Sequence, residues 1–404
     1  MDDLGQAKNR QQEVYMLGGG NPGSIPEMEK LFRAELELLL AEDKTFEQLV
    51  GQYDAPQGNT DFLSALAELL KFEFGWPVSE QNIVITNGSQ SSFGTLFSLF
   101  AGKYPDDSEK HILLPMVPEY IGYSDTGPGT GEIFRANKPV ITDVSGDGNR
   151  FFKYSLDFDS LDTGENCGAV CLSRPTNPTG NVITDKELEN LRTITRESAV
   201  PLIIDGAYGL PFPGITFSPA LPIWDRNIIL CLSLSKLGLA GVRTGIVIAD
   251  LPVIEKIKNA NAVFSLAPGG FGPALVTRLI REKRLLGICD KIVRPFYRSK
   301  RDFALETVYD EMKDLPVKIH RPEGAMFLWL WFEELPITCE ELYQNLKSRN
   351  VYVIAGHHFF PGIEDQNWKH KHECIRVSYA GSPATVKQGI KLIAHEAAKA
   401  YRQR

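Results

Sequence analysis

From about residue 80 onwards, the chain alternates short, almost wholly apolar runs with stretches of helical periodicity. Such apolar runs are typical of strands buried on both faces, and their alternation with helices predicts an α/β fold with a mainly parallel sheet covered by helices. The predicted strands are NIVIT (82–86), HILLP (111–115), GAVCLS (168–173), VPLIID (200–205), NIILCLS (227–233) and TGIVIA (244–249). Sheets of this class bind ligands at the carboxyl ends of their strands, so the residues that follow these runs are candidates for a functional site.

The C-terminal part of the chain predicts a second, smaller α+β unit. A charged helical stretch runs from about 280 to 313, and the strand-like runs VKIHR, AMFLWLWF, VYVIAG and CIRVSYA follow it, separated by helices. The N-terminal segment has no partner of its own nearby and is expected to pack with this unit. We therefore predict a large domain, 30–285, and a small domain that combines 1–29 with 286–404.

Composition argues against several classes of protein. The 404 residues are 43% hydrophobic and carry a net charge of −8, which is ordinary for a globular protein and unfavourable for nucleic-acid binding. We find no apolar run of about 18 residues that could span a membrane, and the polar, acidic start does not resemble a signal peptide. The six cysteines are scattered, which favours free thiols in a reducing compartment and predicts a cytoplasmic protein.

The segment SLSKLGLAGVRTG (233–245) contains the most informative residue, Lys236, directly after a buried strand. Burying an ammonium group costs several kcal/mol, so such a lysine either reaches solvent or has a use as an amine. One use is a covalent bond to a carbonyl cofactor. Ser233, Ser235 and Arg243 would then supply hydrogen-bond donors for a phosphate group of that cofactor.

Three further motifs follow predicted strands. NGSQSS precedes a helix, where backbone N–H groups and Ser89 can bind an anion. SRPTNPTGNVITD is a proline-containing loop that carries Asn177, and LIIDGAYG places Asp205 at a strand end with Tyr208 three residues later. A buried carboxylate needs a cationic partner, and a protonated pyridine nitrogen is one. Each motif alone has an ordinary explanation in capping, loop structure or ion pairing, but their shared position at strand ends favours one common site.

The residues of these motifs and their order along the chain resemble those of the class I and II aminotransferases of fold type I, which use pyridoxal 5'-phosphate. The resemblance covers nearly the whole chain and includes LGGGNP, YDAPQG, PEYIGY, IDGAYGLPFPGI, SLAPGG, PEGAMFLWLWF and GHHFFPG. Within the family, SRPTNPTGNVITD and FLWLWF are most similar to the bacterial branch that exchanges small apolar amino acids with 2-oxo acids. The resemblance implies transamination between valine, alanine or 2-aminobutyrate and pyruvate or 3-methyl-2-oxobutanoate, in a homodimer.

Carried over by position, the resemblance assigns catalytic roles to Lys236, Asp205 and Tyr208. Lys236 would bind the cofactor covalently, Asp205 would pair with its pyridine nitrogen, and Tyr208 and Asn177 would contact its phenolic oxygen. The phosphate would be held by Gly88, Ser89, Gln90, Ser233, Ser235 and Arg243. Lys236 and Arg243 are seven positions apart, one fewer than expected in most relatives, so Arg243 would meet the phosphate from a shifted loop.

Two aromatic residues complete the expected cofactor site. Tyr120 in PEYIGY would stack on the cofactor ring, although an alternative alignment places Val117 there. Tyr53 in YDAPQG resembles a tyrosine that reaches the phosphate from the neighbouring subunit.

The substrate is expected to bind through Arg376 in CIRVSYA, which matches the arginine that holds the α-carboxylate. Gly19 or Gly20 in LGGGNP would close over the substrate, beside Asn177. We can match no second arginine to a distal carboxylate, so small apolar amino donors are expected.

Other functions remain open. A pyridoxal-phosphate lyase acting on a sulfur amino acid would use the same residues. A regulatory ligand-binding module is disfavoured, because the fold is expected to begin near residue 13 and leaves no room for a DNA-binding domain. The segment HHFFPGIEDQNWKHKHEC (357–374) has ligand types suited to zinc. However, His370 and His372 alternate with other residues, which favours a solvated loop near the mouth of the site and no metal.

Overall fold

The computed structural model describes residues 14–124, 126, 133–146 and 150–402. The start of the chain, on which the expectation about a signal peptide rests, lies almost wholly outside the described residues, as does the first part of the predicted small domain.

The strands of the described residues form three sheets. In chain order they are β1 (Tyr15–Met16), β2 (Ile83–Thr86), β3 (Gly102–Lys103), β4 (Glu109–Leu114), β5 (Phe134–Ala136), β6 (Val140–Asp143), β7 (Phe151–Ser155), β8 (Cys167–Ser173), β9 (Leu202–Asp205), β10 (Ile228–Ser233), β11 (Gly245–Ile248), β12 (Val317–His320), β13 (Phe327–Phe332), β14 (Val351–Tyr352), β15 (Ile354–Ala355) and β16 (Cys374–Ser378).

The helices flank these sheets. In chain order they are α1 (Pro26–Ala41), α2 (Asp43–Gly51), α3 (Thr60–Phe74), α4 (Ser89–Phe100), α5 (Asp185–Glu197), α6 (Leu251–Phe264), α7 (Phe271–Arg281), α8 (Leu285–Ile288), α9 (Arg294–Glu311), α10 (Cys339–Ser348) and α11 (Pro383–Arg402).

The central sheet has eight strands in the order β2-β11-β10-β9-β8-β4-β3, with β5 also paired to β4. The strands β10, β9, β8, β4 and β5 pair in parallel, whereas β11 runs antiparallel to both of its neighbours. The inner strands β8, β9, β10 and β11 and the edge strand β2 are buried along their whole length, as their apolar sequences require. The predicted α/β fold with a mainly parallel sheet is therefore confirmed.

The second large sheet has six strands in the order β15-β16-β13-β12-β7-β6, and its pairings are mixed. The N-terminal strand β1 pairs in parallel with β14, so the N-terminal segment joins the C-terminal half of the chain. The hairpin of β6 and β7 pairs with β12, although its residues fall within the predicted large domain. The predicted boundaries, 30–285 and 1–29 with 286–404, do not account for this hairpin, and the division stays a prediction.

The start of α5 shows how the sequence sets a helix end. Thr184 caps α5 with a reciprocal capping box, in which its hydroxyl accepts from the Glu187 backbone N–H at 3.1 Å. The long charged stretch is helical without interruption from 285 to 311, where a π-helical turn, Cys289–Val293, joins α8 to α9, and residues 282–284 separate it from α7. None of the helices within the described ranges has the length and apolar character needed to cross a membrane.

Candidate active site

A pocket of about 860 Å³ lies at the carboxyl ends of β2, β4, β8, β9 and β10. Twelve of the predicted site residues line this pocket, and they come from seven separate parts of the chain. They are Gly20, Ser89, Gln90, Tyr120, Asn177, Asp205, Tyr208, Ser233, Ser235, Lys236, Arg243 and Arg376. The predicted residues that do not line it are Gly19, Gly88 and Tyr53.

Lys236 extends from a short 3-10 turn that directly follows β10. Its Nζ donates a hydrogen bond to the Gly20 carbonyl oxygen at 2.6 Å and lies 5.3 Å from the centre of the Tyr208 ring. Burial, together with the positive charges of Arg376 and Arg243, lowers the pKa of this amine to about 8. The pocket therefore makes this lysine easier to deprotonate to its nucleophilic form than an ordinary lysine, although the ammonium form still predominates below about pH 8.

Asp205 is the last residue of β9, between the ends of β8 and β10. Its Oδ1 accepts from the Ala207 backbone N–H at 2.9 Å, and its Oδ2 accepts from the Tyr123 hydroxyl at 2.9 Å. Burial raises the pKa of Asp205, while these two hydrogen bonds and the charge of Lys236 oppose that rise. A cationic ligand next to Asp205 would further stabilise its ionised form.

The opposite end of the pocket is suited to an anion. The first residues of α4 lie there. Its N-cap residue, Gly88, has no side chain that could accept from the backbone N–H groups of the first turn, so no capping side chain competes with an anion for them. Gly88 has a φ of 95°, and a Cβ at this position would lie 2.3 Å from Nη2 of Arg243. The positive φ favours glycine at this position, and the missing side chain leaves room for the guanidinium beside the helix end, which explains Gly88 although it does not line the pocket.

The loop after β10 adds further donors to this end of the pocket. The Ser233 and Ser235 hydroxyls are 3.0 Å apart. Arg243 itself adopts a left-handed backbone conformation with a φ of 51°, a strained geometry that is typical of functional sites.

Arg376 reaches the pocket from β16 of the second sheet. Its Nη1 donates to Asn177 Oδ1 at 2.7 Å, and its Nη2 donates to the Gly18 carbonyl oxygen at 2.6 Å. Its buried Nε has no hydrogen-bond partner among the described residues. Burial lowers the pKa of Arg376 to about 10, partly offset by Tyr208 and Tyr120. A buried guanidinium with an unused donor is suited to a carboxylate ligand.

Of the two candidates for the ring-stacking position, Tyr120 faces the pocket and Val117 does not. Tyr120 lines the pocket, and its ring lies so close to Gly122 that a Cβ there would be 2.3 Å from the ring. Val117 is fully buried in the core and does not line the pocket. Tyr53 is 83% exposed and does not reach the pocket of its own chain. Gly19 lies between two pocket residues, Gly18 and Gly20.

The histidine-rich segment differs from the expectation of a solvated loop. His370 is buried, its Nε2 is hydrogen-bonded to the Tyr154 hydroxyl, and its ring packs 4.4 Å from that of Trp331. Only its first part lies at the mouth of the pocket, where His357 and His358 approach Glu340 with potential ligand atoms within 4.8 Å of one another. The absence of a metal stays a prediction.

Sequence reasoning missed several pocket residues. Ser173, the last residue of a predicted strand, lines the pocket. Tyr123, the second tyrosine of PEYIGY, does not line it but donates to Asp205 from behind. Others come from the wall and the mouth of the pocket, outside all the site motifs, and include Glu340, Tyr343, Gln344, Val353 and Ile354.

Comparison with known proteins identifies the family of this chain. The family model "Aminotransferase class I and II" matches residues 131–393. The chain is 46% identical to valine–pyruvate aminotransferase of Escherichia coli K12 over 401 residues, which cover 99% of this chain and 94% of that protein.

Solved structures give the same result. A putative amino-acid aminotransferase from Psychrobacter arcticum 273-4 is 43% identical and superposes with a TM-score of 0.97, covering 100% of this chain and 95% of the other. Valine-pyruvate aminotransferase from Salmonella typhimurium LT2 is 45% identical, with a TM-score of 0.91 and coverage of 100% and 99%. With a family model that spans most of the chain and relatives of this identity, the chain belongs to the class I and II aminotransferases.

Proposed function

We propose that the protein is a pyridoxal 5'-phosphate-dependent aminotransferase that exchanges the amino group between a small apolar amino acid and a 2-oxo acid. The amino donors are valine, alanine and 2-aminobutyrate, and the acceptors are pyruvate and 3-methyl-2-oxobutanoate. The observation that carries this proposal is the convergence of Lys236, Asp205 and Arg376 in one pocket. The identity of 46% with a valine–pyruvate aminotransferase supports the choice of substrates.

The donors of the pocket fit the cofactor. Ser89 begins α4, Arg243 lies beside Gly88 at that helix end, and Ser233 and Ser235 line the same pocket. With Gly88 and Gln90 they would hold the phosphate of the cofactor. Asp205 would pair with the pyridine nitrogen, and Tyr120 would stack on the ring. When bound, the cofactor accepts the electrons of the Cα–H bond that the amino acid loses.

Arg376 and Asn177 orient the substrate, and Lys236 moves its Cα proton. Arg376 binds the α-carboxylate through its guanidinium group, and Asn177 keeps that group in place. Lys236 would bind the cofactor covalently, and its freed Nζ takes the proton from Cα, for which a pKa of about 8 is favourable. Tyr208 and Asn177 would contact the phenolic oxygen of the cofactor.

The charges of the pocket favour apolar donors over acidic ones. The lysine and arginine side chains that line it among the described residues are Lys236, Arg243 and Arg376, each of which already has a role. No further lysine or arginine lines the described pocket to bind a second carboxylate, and Glu340 at the mouth would repel one. Val353 and Ile354 supply apolar wall instead.

A panel of amino donors tests this proposal. With pyruvate as acceptor, or 3-methyl-2-oxobutanoate for alanine, kcat/KM should be largest for valine, alanine and 2-aminobutyrate, because an apolar pocket separates such donors by only about 1–3 kcal/mol per methylene. The Lys236→Ala variant serves as the background. A kcat/KM for aspartate above that for valine would contradict the proposal.

The lyase alternative gains no support from the comparisons, whose family and most similar relatives are aminotransferases. A lyase would release ammonia and a 2-oxo acid from one sulfur amino acid without an acceptor, and the same panel run without pyruvate measures this.

We also propose that the working unit is a homodimer with shared active sites. Tyr53 is exposed in the single chain, and Val263 and Phe264 are also more than 80% exposed. Asn261 connects the two regions through a hydrogen bond to the Pro56 carbonyl oxygen at 2.8 Å. Together they form an exposed apolar surface beside the loop of Tyr53, as expected of an interface between subunits.

A cytoplasmic location is the last part of the proposal. All six cysteines are buried and unpaired, which is usual for a protein of a reducing compartment.

A further inference from the structure

Glu119 is a buried carboxyl that none of the roles above uses. It is only 1% exposed, and it lies in the loop between β4 and the short 3-10 turn at Ile121–Tyr123. Its Oε1 accepts from the Ser173 backbone N–H at 2.7 Å, and its Oε2 accepts from the Ser173 hydroxyl and, at 3.3 Å, from the Tyr120 backbone N–H.

The groups that face Glu119 include no cation that could stabilise a negative charge. The titratable groups that interact with it are Asp205, Tyr123 and Cys171, which are all acids. No ion pair joins Glu119 to a basic side chain in the part of the chain that the structure describes. A carboxylate buried in this way is costly unless it takes up a proton.

The hydroxyls of Ser173 and Tyr123 connect Glu119 to Asp205. The Ser173 Oγ contacts Oε2 of Glu119, and it lies 3.4 Å from the Tyr123 Oη, which donates to Oδ2 of Asp205 at 2.9 Å. The four groups form a continuous buried row from one carboxyl to the other.

Counting protons along this row distinguishes the two states of Glu119. Each hydroxyl has one proton to donate. If Glu119 is ionised, Ser173 and Tyr123 each donate to a carboxylate, and no proton remains for the contact between their oxygens. If Glu119 is protonated, it donates to Ser173, Ser173 donates to Tyr123, and Tyr123 donates to Asp205. Every contact in the row is then a hydrogen bond, and all of them point towards Asp205.

We infer that Glu119 is protonated in the working enzyme and acts as a positioning residue, which fixes the direction of the hydrogen bonds through Ser173 and Tyr123 and leaves Asp205 as the only negative charge beneath the cofactor. The inference rests on the proposed function, because that proposal pairs Asp205 with the pyridine nitrogen.

The electrostatic surroundings of Glu119 also favour its protonated form, and they determine the pH range in which it keeps the proton. Burial raises the pKa of Glu119 to about 8, against the opposing hydrogen bonds from Ser173 and with a further contribution from the charge of Asp205. Glu119 keeps its proton at neutral pH and loses it as the pH rises through about 8. A second negative charge then appears in the row, and the hydrogen bond between Ser173 and Tyr123 is lost.

Infrared difference spectroscopy of the holoenzyme detects this proton directly. The spectrum at neutral pH minus that at alkaline pH should contain the C=O stretch of a buried carboxylic acid. Glu119→Gln should remove this band, because the amide imitates the protonated acid but does not titrate. Glu396→Gln is the matched control: Glu396 is also a buried glutamate, but it is paired with Arg349 and does not line the pocket, so the band should remain.

The absorption of the bound cofactor provides the second readout. In the wild type, its pH profile should include a change that follows the ionisation of Glu119. That change should be lost in Glu119→Gln and kept in Glu396→Gln. Ser173→Ala removes the hydroxyl in the middle of the row, so it should keep the infrared band and reduce the response of the cofactor. This variant also tests the inference if Glu119→Gln does not fold.

Two results would overturn the inference. A wild-type infrared difference without any band that Glu119→Gln removes would show that Glu119 does not lose a proton between the two pH values, although the inference requires it to. A cofactor profile that Glu119→Gln and Ser173→Ala both leave unchanged would show a merely structural carboxyl. Neither measurement depends on turnover, so failure of the proposed substrate specificity would be seen separately in the donor panel.

Discussion

Replacing Lys236 by methionine should make the cofactor-free protein more stable near neutral pH. The wild-type apoprotein has to keep an ammonium group in a pocket that already contains Arg376 and Arg243, and these surroundings lower its pKa from 10.5 to about 8. Methionine has a similar length and no charge, so it fills the same space without that penalty.

The magnitude follows from the pKa of Lys236. At about 1.4 kcal/mol per pKa unit, a pKa of about 8 instead of 10.5 corresponds to at most about 3.5 kcal/mol. Solvent in the open pocket reduces this figure, and methionine also loses the hydrogen bond from Nζ to Gly20, which is worth about 1.5 kcal/mol or more. We expect a net gain of about 1 kcal/mol in the free energy of unfolding.

The pH dependence distinguishes this explanation from better packing. Because the folded-state pKa is below the unfolded-state pKa, the penalty is complete below about pH 8, decreases between pH 8 and 10.5, and is absent above 10.5. Urea unfolding of the apoproteins near both ends of this range measures the change, with the exposed Lys256→Met as control. A gain that is the same at both pH values, or a loss of stability near pH 7, would refute the reasoning.

Three further results are expected. Asp205→Asn should still bind the cofactor but lower kcat by about a hundredfold or more, because an amide does not stabilise a pyridinium as a buried carboxylate does; a kcat within a few-fold of the wild type would contradict the assignment. Arg376→Lys should raise KM about ten- to a hundredfold for all amino acids alike, since it loses the planar fork of donors; an effect confined to acidic substrates would instead place Arg376 at a side-chain site. When Tyr53→Phe and Lys236→Ala chains are refolded together, the hybrid site with Lys236 should regain wild-type cofactor affinity, and a persistently weak site would show that Tyr53 does not act across subunits.

The position of the pocket was predictable because the sequence changes character where each central strand ends. Asp205 and Ser233 terminate runs of buried apolar residues, and Lys236 follows within three positions. Parallel strands bring such ends to one edge, so local patterns were enough to place these residues in one pocket. The resemblance then identified Arg376, which lies on a different sheet and has no local signal of this kind.

Other features depend on contacts that no local pattern encodes. The apolar run of β11 does not show that it lies antiparallel between β2 and β10, and nothing in the hairpin of β6 and β7 indicates pairing with β12. His370 belongs to a polar segment, yet the ring of Trp331 and the Tyr154 hydroxyl bury it. Glu119 is likewise a charged residue in a loop, and only the packing of the chain around it makes it a buried acid.

The antiparallel direction of β11 has a consequence for how the enzyme can vary. Since β10 ends and β11 begins at the same edge, with Ser233 opposite Gly245, the residues between them form a closed loop pinned at both ends. The Leu234 backbone N–H donates to the Thr244 carbonyl oxygen at 3.2 Å and closes its base. Both Lys236 and Arg243 stand on this one loop, so its length can change by a residue without altering the register of the sheet. A change of one residue in this loop would alter the distance between the amine of Lys236 and the guanidinium of Arg243 and leave the strands on either side in place.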